Sequence, residues 1–526
     1  MRFAAGKRFP AALRRGQPIE SPAQHRWDGA MRALLLSGLL GLASLPAVAQ
    51  PAQNTLRIGI FEDFDVPDPA LSRTFSGLQI LSAMCDKLLD VTPDLRYVGA
   101  AAESFAWTPD GRGLVLNLRP GMRFQDGAPF DAEAVAFGIN RHLTLQGSFR
   151  RGELPMVTGV TVLGPLTARI DLNEPSIPLL SLLVTRAGMM VSPQSAERGS
   201  PACSGPYRLR ERVALDRVVL ERWPGHWNAA NHHIERIIYR PIPDGNIRLQ
   251  NLRGGGLDLM ERVSAPDLPT VRAQRNLRVA QALELGHSFI RFNIANGPGA
   301  EGPWARDARL RAALEASIDR EALVNVVFSG EAVAGNQWVN PAHPLYASAH
   351  PVPRRDIARA RALLAEAGQP RPTLRLAVPN QPELVQAAEV IQSMAAEAGI
   401  QVQVQAIEIG AYVRNNVTGN FEAAIGFWGG RTDADGNVSF HVTCRGPNND
   451  GRYCSEEVEA ALTAARREAE DDARRPHYAA AADRLLADRP NLWLWHRRNS
   501  WAFTSRLQGF TAYPDGIFRY AGLRYD

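Results

Sequence analysis

A chain of 526 residues, 45% hydrophobic and 21% charged, is too long for one hydrophobic core and too apolar to stay disordered. Its formal net charge of +5 arises within the first 49 residues, where Arg2, Lys7, Arg8, Arg14, Arg15, Arg26 and Arg32 outnumber Glu20 and Asp28, and the remaining 52 basic and 52 acidic residues balance. That balance removes the net positive charge that would have suggested a nucleic-acid binder, so no nucleic-acid partner is expected.

In chain order, the first element is a targeting segment spanning residues 31–49. Met31-Arg32 is a short positive start, residues 33–45 are apolar, and Ala47-Val48-Ala49 is a small-x-small cleavage site, so export to the periplasm is expected with Gln50 first in the mature chain. The apolar run, about 13 residues, falls short of the ~20 that a membrane-spanning helix needs. Residues 1–30 carry no periodicity and read as an upstream extension before a true start at Met31. No cysteine follows the cleavage site, which argues against a lipid anchor.

Residues 55–61 alternate as a strand should, and residues 77–90 carry Leu78, Leu81, Met84 and Leu88 at helical spacing. Leu114, Leu116 and Leu118 alternate up to a Pro120-Gly121 turn, and a second turn follows at Asp126-Gly127. Asp131 is placed to cap the next helix, with Phe130 stapled against Val135. His226, His232 and His233 lie among Trp223, Trp227 and Asn231 and read as a solvated surface stretch rather than a metal cluster. The run from Gly254 to Gly256 ends a helix. Phe289, Arg291 and Asn293 alternate with Ile290, Phe292 and Ile294, so one set should face away from the core, leaving Arg291 to reach a cleft or stand exposed.

The most informative topology comes later. Residues 373–378 form a short strand, 382–398 a helix ending at Gly399, and 400–404 a second strand, which makes a parallel βαβ pair. Residues 421–428 add a further strand. Ligands in open α/β sheets bind beyond the carboxyl ends of the strands, so the loop Trp-Gly-Gly-Arg-Thr-Asp-Ala-Asp-Gly-Asn that starts at Trp428 is the leading site. Trp428 either packs as a core aromatic or forms part of a ligand wall. Phe75, just ahead of the first helix, completes the candidate set with Arg291, Arg431 and Asp433.

Four cysteines in an exported chain make two disulfides plausible. Cys444 and Cys454 close a short loop rich in Gly, Pro and Asn, and Cys85 with Cys203 follows by elimination. The sequence contains no Gly-x-Ser-x-Gly, His-Glu-x-x-His or phosphate-binding loop, and Lys87 is the only lysine after residue 49, so catalysis and a cofactor are not expected. Asp433-Ala434-Asp435-Gly436-Asn437 resembles the first half of a calcium loop, but Val438 and Cys444 stand where Gly and Glu are needed, so no metal site is expected either.

Five blocks then coincide in order: LVLNLRPGMRFQDGAPFDAEAVAF at 114–137, SGPYRL at 204–209, RIIYRPIPDGNIRLQNLRGGGLDL at 236–259, LRAALEASIDREALVNVVFSG at 310–330 and ARALLAEAG at 360–368. Together they resemble the family 5 extracellular solute-binding proteins of peptide, nickel and opine ABC importers over nearly all of residues 55–520. The resemblance implies an α/β fold of the type II periplasmic binding protein kind, with two lobes, a hinge and an additional domain II (cluster C). By position, domain I takes residues 51–97, 203–282 and 497–526, domain II 98–202, and domain III 283–496. A monomer is implied that captures a small solute between domains I and III and delivers it to membrane permease subunits. In peptide-binding members an Asp three residues after the Trp of this loop pairs with the ligand amine. Here that position holds Arg431, with Asp433 and Asp435 slightly later, which points instead to a peptide-like, carboxylate-bearing ligand held by Arg431. Internal pairing of Arg431 with Asp433 or Asp435 is the competing reading. Opine, glutathione-like, sugar and metal-chelate ligands, and a periplasmic sensing role, are the alternatives on this scaffold.

Overall fold

A computed structural model describes residues 54–199 and 201–526. The upstream extension and targeting segment lie outside the described residues. Among those described, no helix is long and apolar enough to cross a membrane.

The architecture is α/β, organised around a twelve-stranded sheet. Its central member is the fourteen-residue strand Asn491–Thr504. The first stretch of this strand pairs antiparallel with His287–Phe292, and residues 495–497 pair with Ala332–Ala334. Its second stretch pairs with Leu277–Leu283 and Leu259–Met260. Beyond Leu259–Met260 come Thr55–Ile60, Arg236–Pro241, Arg217–Arg222 and Tyr207–Val213; beyond His287–Phe292 come Ala423–Trp428, Thr373–Pro379 and Gln401–Ile407. One strand therefore belongs to both halves of the sheet.

The expected βαβ unit is present. Thr373–Pro379 and Gln401–Ile407 run parallel, joined by the helix Pro382–Ala396, and Gly399 takes the left-handed turn (φ 102°) that releases the chain into the second strand. Ala423–Trp428 also runs parallel to Thr373–Pro379, so both strands deliver their carboxyl ends to the same edge. Leu376, Ile391, Ala423, Ile425 and Leu492 pack there in one buried cluster, while Trp493, Trp338, Tyr478 and Phe289 fill a second. A separate four-stranded antiparallel sheet, Ala102–Trp107, Gly113–Leu118, Thr167–Leu172 and Val157–Gly164, packs on the helix Ala132–Thr144 around its own core. Asp131 caps that helix by accepting from the Ala134 N–H.

Three expectations are corrected. The first helix spans Phe75–Met84 and does not continue to residue 90, because the chain turns extended at Cys85, which is bonded to Cys203. Strand His287–Phe292 is buried along its whole length, since helices and loops cover both faces of a central strand. The histidine stretch is only partly solvated: Trp227, Asn231 and His233 are exposed as expected, but His226 and His232 are 6% and 5% exposed, and His226 Nε2 meets the Asp86 carboxylate at 3.1 Å. Lys87, the lone lysine after residue 49, is likewise buried, in an ion pair of 2.7 Å with Asp90.

Both disulfides form as paired from the sequence, Cys85 with Cys203 and Cys444 with Cys454. The second closes a loop of sequence separation 10, so removing it as Cys444→Ala with Cys454→Ala is expected to lower stability by about 2–3 kcal/mol through the freedom returned to the unfolded chain. Urea unfolding of the double variant beside the unmodified protein measures this. An unchanged midpoint would contradict it.

Candidate functional site

The site is built where Ala423–Trp428 ends. Trp428 is half-buried, with its ring edge-on to His441 at 5.0 Å and Phe440 at 5.8 Å. Its indole N–H donates to Asn437 Oδ1 at 3.1 Å, and the Arg431 backbone N–H donates to the same oxygen at 2.7 Å. Asn437 Nδ2 returns a bond to the Arg431 carbonyl at 3.1 Å, so a single amide side chain closes the turn. Gly430 has φ 85°, and a Cβ there would stand 2.3 Å from the Leu285 carbonyl carbon. Only glycine allows the loop to lie against the segment that links Leu277–Leu283 to His287–Phe292.

This geometry presents the Arg431 guanidinium 4.7 Å over the Trp428 ring, with one terminal nitrogen donating to the Gly430 carbonyl at 3.0 Å. Its nearest carboxylate is Glu153, at 3.9 Å and already held by Arg150 at 2.8 Å. Burial pushes the Arg431 guanidinium below its usual range, with Glu153 opposing, while 25% of the side chain remains open. The open part faces a cavity of about 450 Å³. Gln281, Glu284, Asn340, His343 and Asn437 supply the other polar groups of its wall, with Leu283, Leu285 and Val339 among the apolar ones. An apolar enclosure of a few hundred Å³ with few convergent polar groups is the usual form of a small-molecule site.

Of the sequence-predicted residues, Arg431 lines this cavity and Trp428 stands behind it as the platform on which Arg431 rests. Asp433 is elsewhere engaged. Both of its oxygens accept from Arg474, at 2.8 and 2.7 Å, with the two side chains only 3% and 5% exposed. Asp435 meets Arg466 at 2.9 Å and Ser439 at 2.6 Å. Neither acid therefore pairs with Arg431, and neither is free for a ligand. Arg291 is also withdrawn: 6% exposed, it is ion-paired with Asp450, and its other terminal nitrogen is 3.1 Å from His441 Nδ1. Phe75 opens its helix with its N–H donated to Glu62 at 2.8 Å, and its ring flanks Gly516, away from the lining of the cavity. Sequence reasoning passed over Glu284, Asn340, His343 and Asn437. Only Asn437, inside the singled-out loop, carried a signal.

Comparison with known proteins gives three findings. The family model for bacterial extracellular solute-binding proteins, family 5 (middle), matches residues 96–449. The glutathione-binding protein GsiB of Salmonella paratyphi A is 25% identical over 517 residues, covering 94% of this chain and 98% of its own. Among solved structures, the substrate-binding protein CtaP of Listeria monocytogenes superposes with a TM-score of 0.80 at 20% identity, over 90% of this chain and 99% of its own. A dipeptide-binding protein of Pseudoalteromonas, solved with Met-Leu, gives 0.77 at 19%, over 90% and 100%. These structural likenesses concern the fold.

Proposed function

We propose, from the premise that this chain belongs to the family 5 bacterial extracellular solute-binding proteins, that it captures a small, carboxylate-bearing, peptide-like solute in the cavity beside Trp428. The family consists of transport binding proteins of ABC importers. The chain hands its solute to the permease subunits of such an importer in the inner membrane, and works in the periplasm after cleavage behind Ala49. Domain I comprises residues 51–97, 203–282 and 497–526, and domain III residues 283–496. The additional domain II, residues 98–202, contains the four-stranded sheet.

The observation that carries this reading is Arg431, a guanidinium seated on an aromatic ring, set in the wall of a partly open cavity and weakly matched by protein carboxylates. Its planar fork suits two carboxylate oxygens, and in a confined space that charge-assisted pair outweighs a neutral hydrogen bond. The name of the Salmonella relative makes glutathione the first probe, because that tripeptide ends in free carboxylates. Native mass spectrometry of protein purified from periplasm tests the reading in one experiment. The expected spectrum has a polypeptide starting at Gln50 and a released small molecule bearing a carboxylate. A neutral sugar in the cavity, or a periplasmic form retaining residues 31–49, would overturn the corresponding part.

A further inference from the structure

The cavity wall holds one carboxylate as well as one open guanidinium, and we propose that Glu284 is the receptor for an ammonium group of the ligand. On this assignment, which rests on the binding reading above, the solute is a zwitterion lying with its carboxylate at Arg431 and its amine at the segment between Leu283 and His287. Both charged residues line the same cavity. Their segments touch: a Cβ on Gly430 would stand 2.3 Å from the Leu285 carbonyl carbon, and one on Gly286 would stand 1.8 Å from the Trp428 carbonyl oxygen. The two residues are thus carried by segments in direct backbone contact and line one cavity, so a single small molecule there can meet both.

Glu284 is bound to the protein only through backbone. Its N–H donates to the Arg497 carbonyl at 2.9 Å, and its Oε1 accepts from the Arg497 N–H at 3.1 Å. Among the described residues no cationic side chain forms an ion pair with it. The Arg497 guanidinium is ion-paired with Glu383, and the Arg262 guanidinium lies 3.5 Å over the Phe61 ring. A carboxylate set in a cavity wall without an ion pair is poorly placed unless a cation arrives. Burial pushes the Glu284 carboxyl up, with Arg497 and then the Arg497 N–H opposing, so a bound ammonium would also hold it in its charged form. His343, the other titratable group on this wall, is pushed down by burial.

The test uses the full chain freed of ligand by unfolding and refolding, offered a pool of synthetic di- and tripeptides. The same pool is offered N-acetylated, and again with amidated carboxyl termini, with capture read by mass spectrometry. The unmodified protein is expected to retain acetylated peptides at least about tenfold less than free ones. Glu284→Gln keeps an amide oxygen for the Arg497 N–H, so the fold is preserved. This variant is expected to hold free and acetylated peptides alike, at the level of the acetylated pool. Equal capture of both pools by the unmodified protein, or an undiminished preference in Glu284→Gln, would overturn the assignment. If amidation then still abolished capture, the Arg431 reading would stand alone. Capture from none of the pools would remove both.

Discussion

Arg431→Ala is expected to weaken ligand binding by tens- to thousand-fold, about 2–5 kcal/mol, with the fold unchanged. Removing one partner of a charge pair in a confined site leaves the other unsatisfied, and losses of that size are typical. The fold should survive because the bonds that shape the loop, from the Arg431 backbone to Asn437, do not involve its guanidinium. The side chain contributes one bond to Gly430 and a 3.9 Å approach to Glu153. Arg431→Lys should recover only part of the loss, since an ammonium cannot reproduce the planar fork or its stacking on Trp428. Calorimetry with the identified ligand and its amidated analogue separates the contributions. Unmodified affinity in Arg431→Ala, or equal affinity for ligand and amide, would show that the guanidinium does not clamp a carboxylate.

Arg474→Ala is expected to destabilise the protein by about 3–5 kcal/mol, the usual result of stripping one partner from a buried ion pair. Asp433 would keep its charge 3% exposed, with the Asp435 N–H as its remaining donor at 2.8 Å. Replacing both residues, Asp433→Leu with Arg474→Met, should restore much of the loss because both charges leave together. Thermal and urea unfolding of the single and double variants measures the difference. A single-variant loss below about 1 kcal/mol would mean that solvent reaches the pair and that it behaves as a surface contact.

What the sequence disclosed depended on whether a feature was local. The βαβ unit was legible because apolar spacing, Pro382 and Gly399 lie within one stretch of chain, and Asp131 was legible as a cap because it bonds three residues ahead. Arg431 was legible as a residue of the cavity wall because the strand ending at Trp428 runs straight into the loop that carries it. The errors are all distant partnerships. Arg291 reads as an outward residue on an alternating strand until Asp450, 159 residues on, meets it from a covering loop. His226 is held by Asp86 across 140 residues, and Asp433 by Arg474 across 41. Periodicity tells which face of an element is apolar, but which charged side chain covers a polar position is decided by tertiary packing. Glu284 gave no signal for the same reason, since its place on the cavity wall exists only once the loop at Gly430 folds against it.

The strand shared by the two halves of the sheet has a mechanical consequence. Ala332–Ala334 pairs with residues 495–497 and Leu277–Leu283 takes over at Arg498, so no unpaired peptide separates the two stretches. Any rocking of one half against the other must therefore be absorbed as torsion along a ribbon already clamped on both sides of the junction, and not as slack in a tether. The two halves thus share one continuously paired ribbon, so a change of twist in this strand is felt on both sides of the junction.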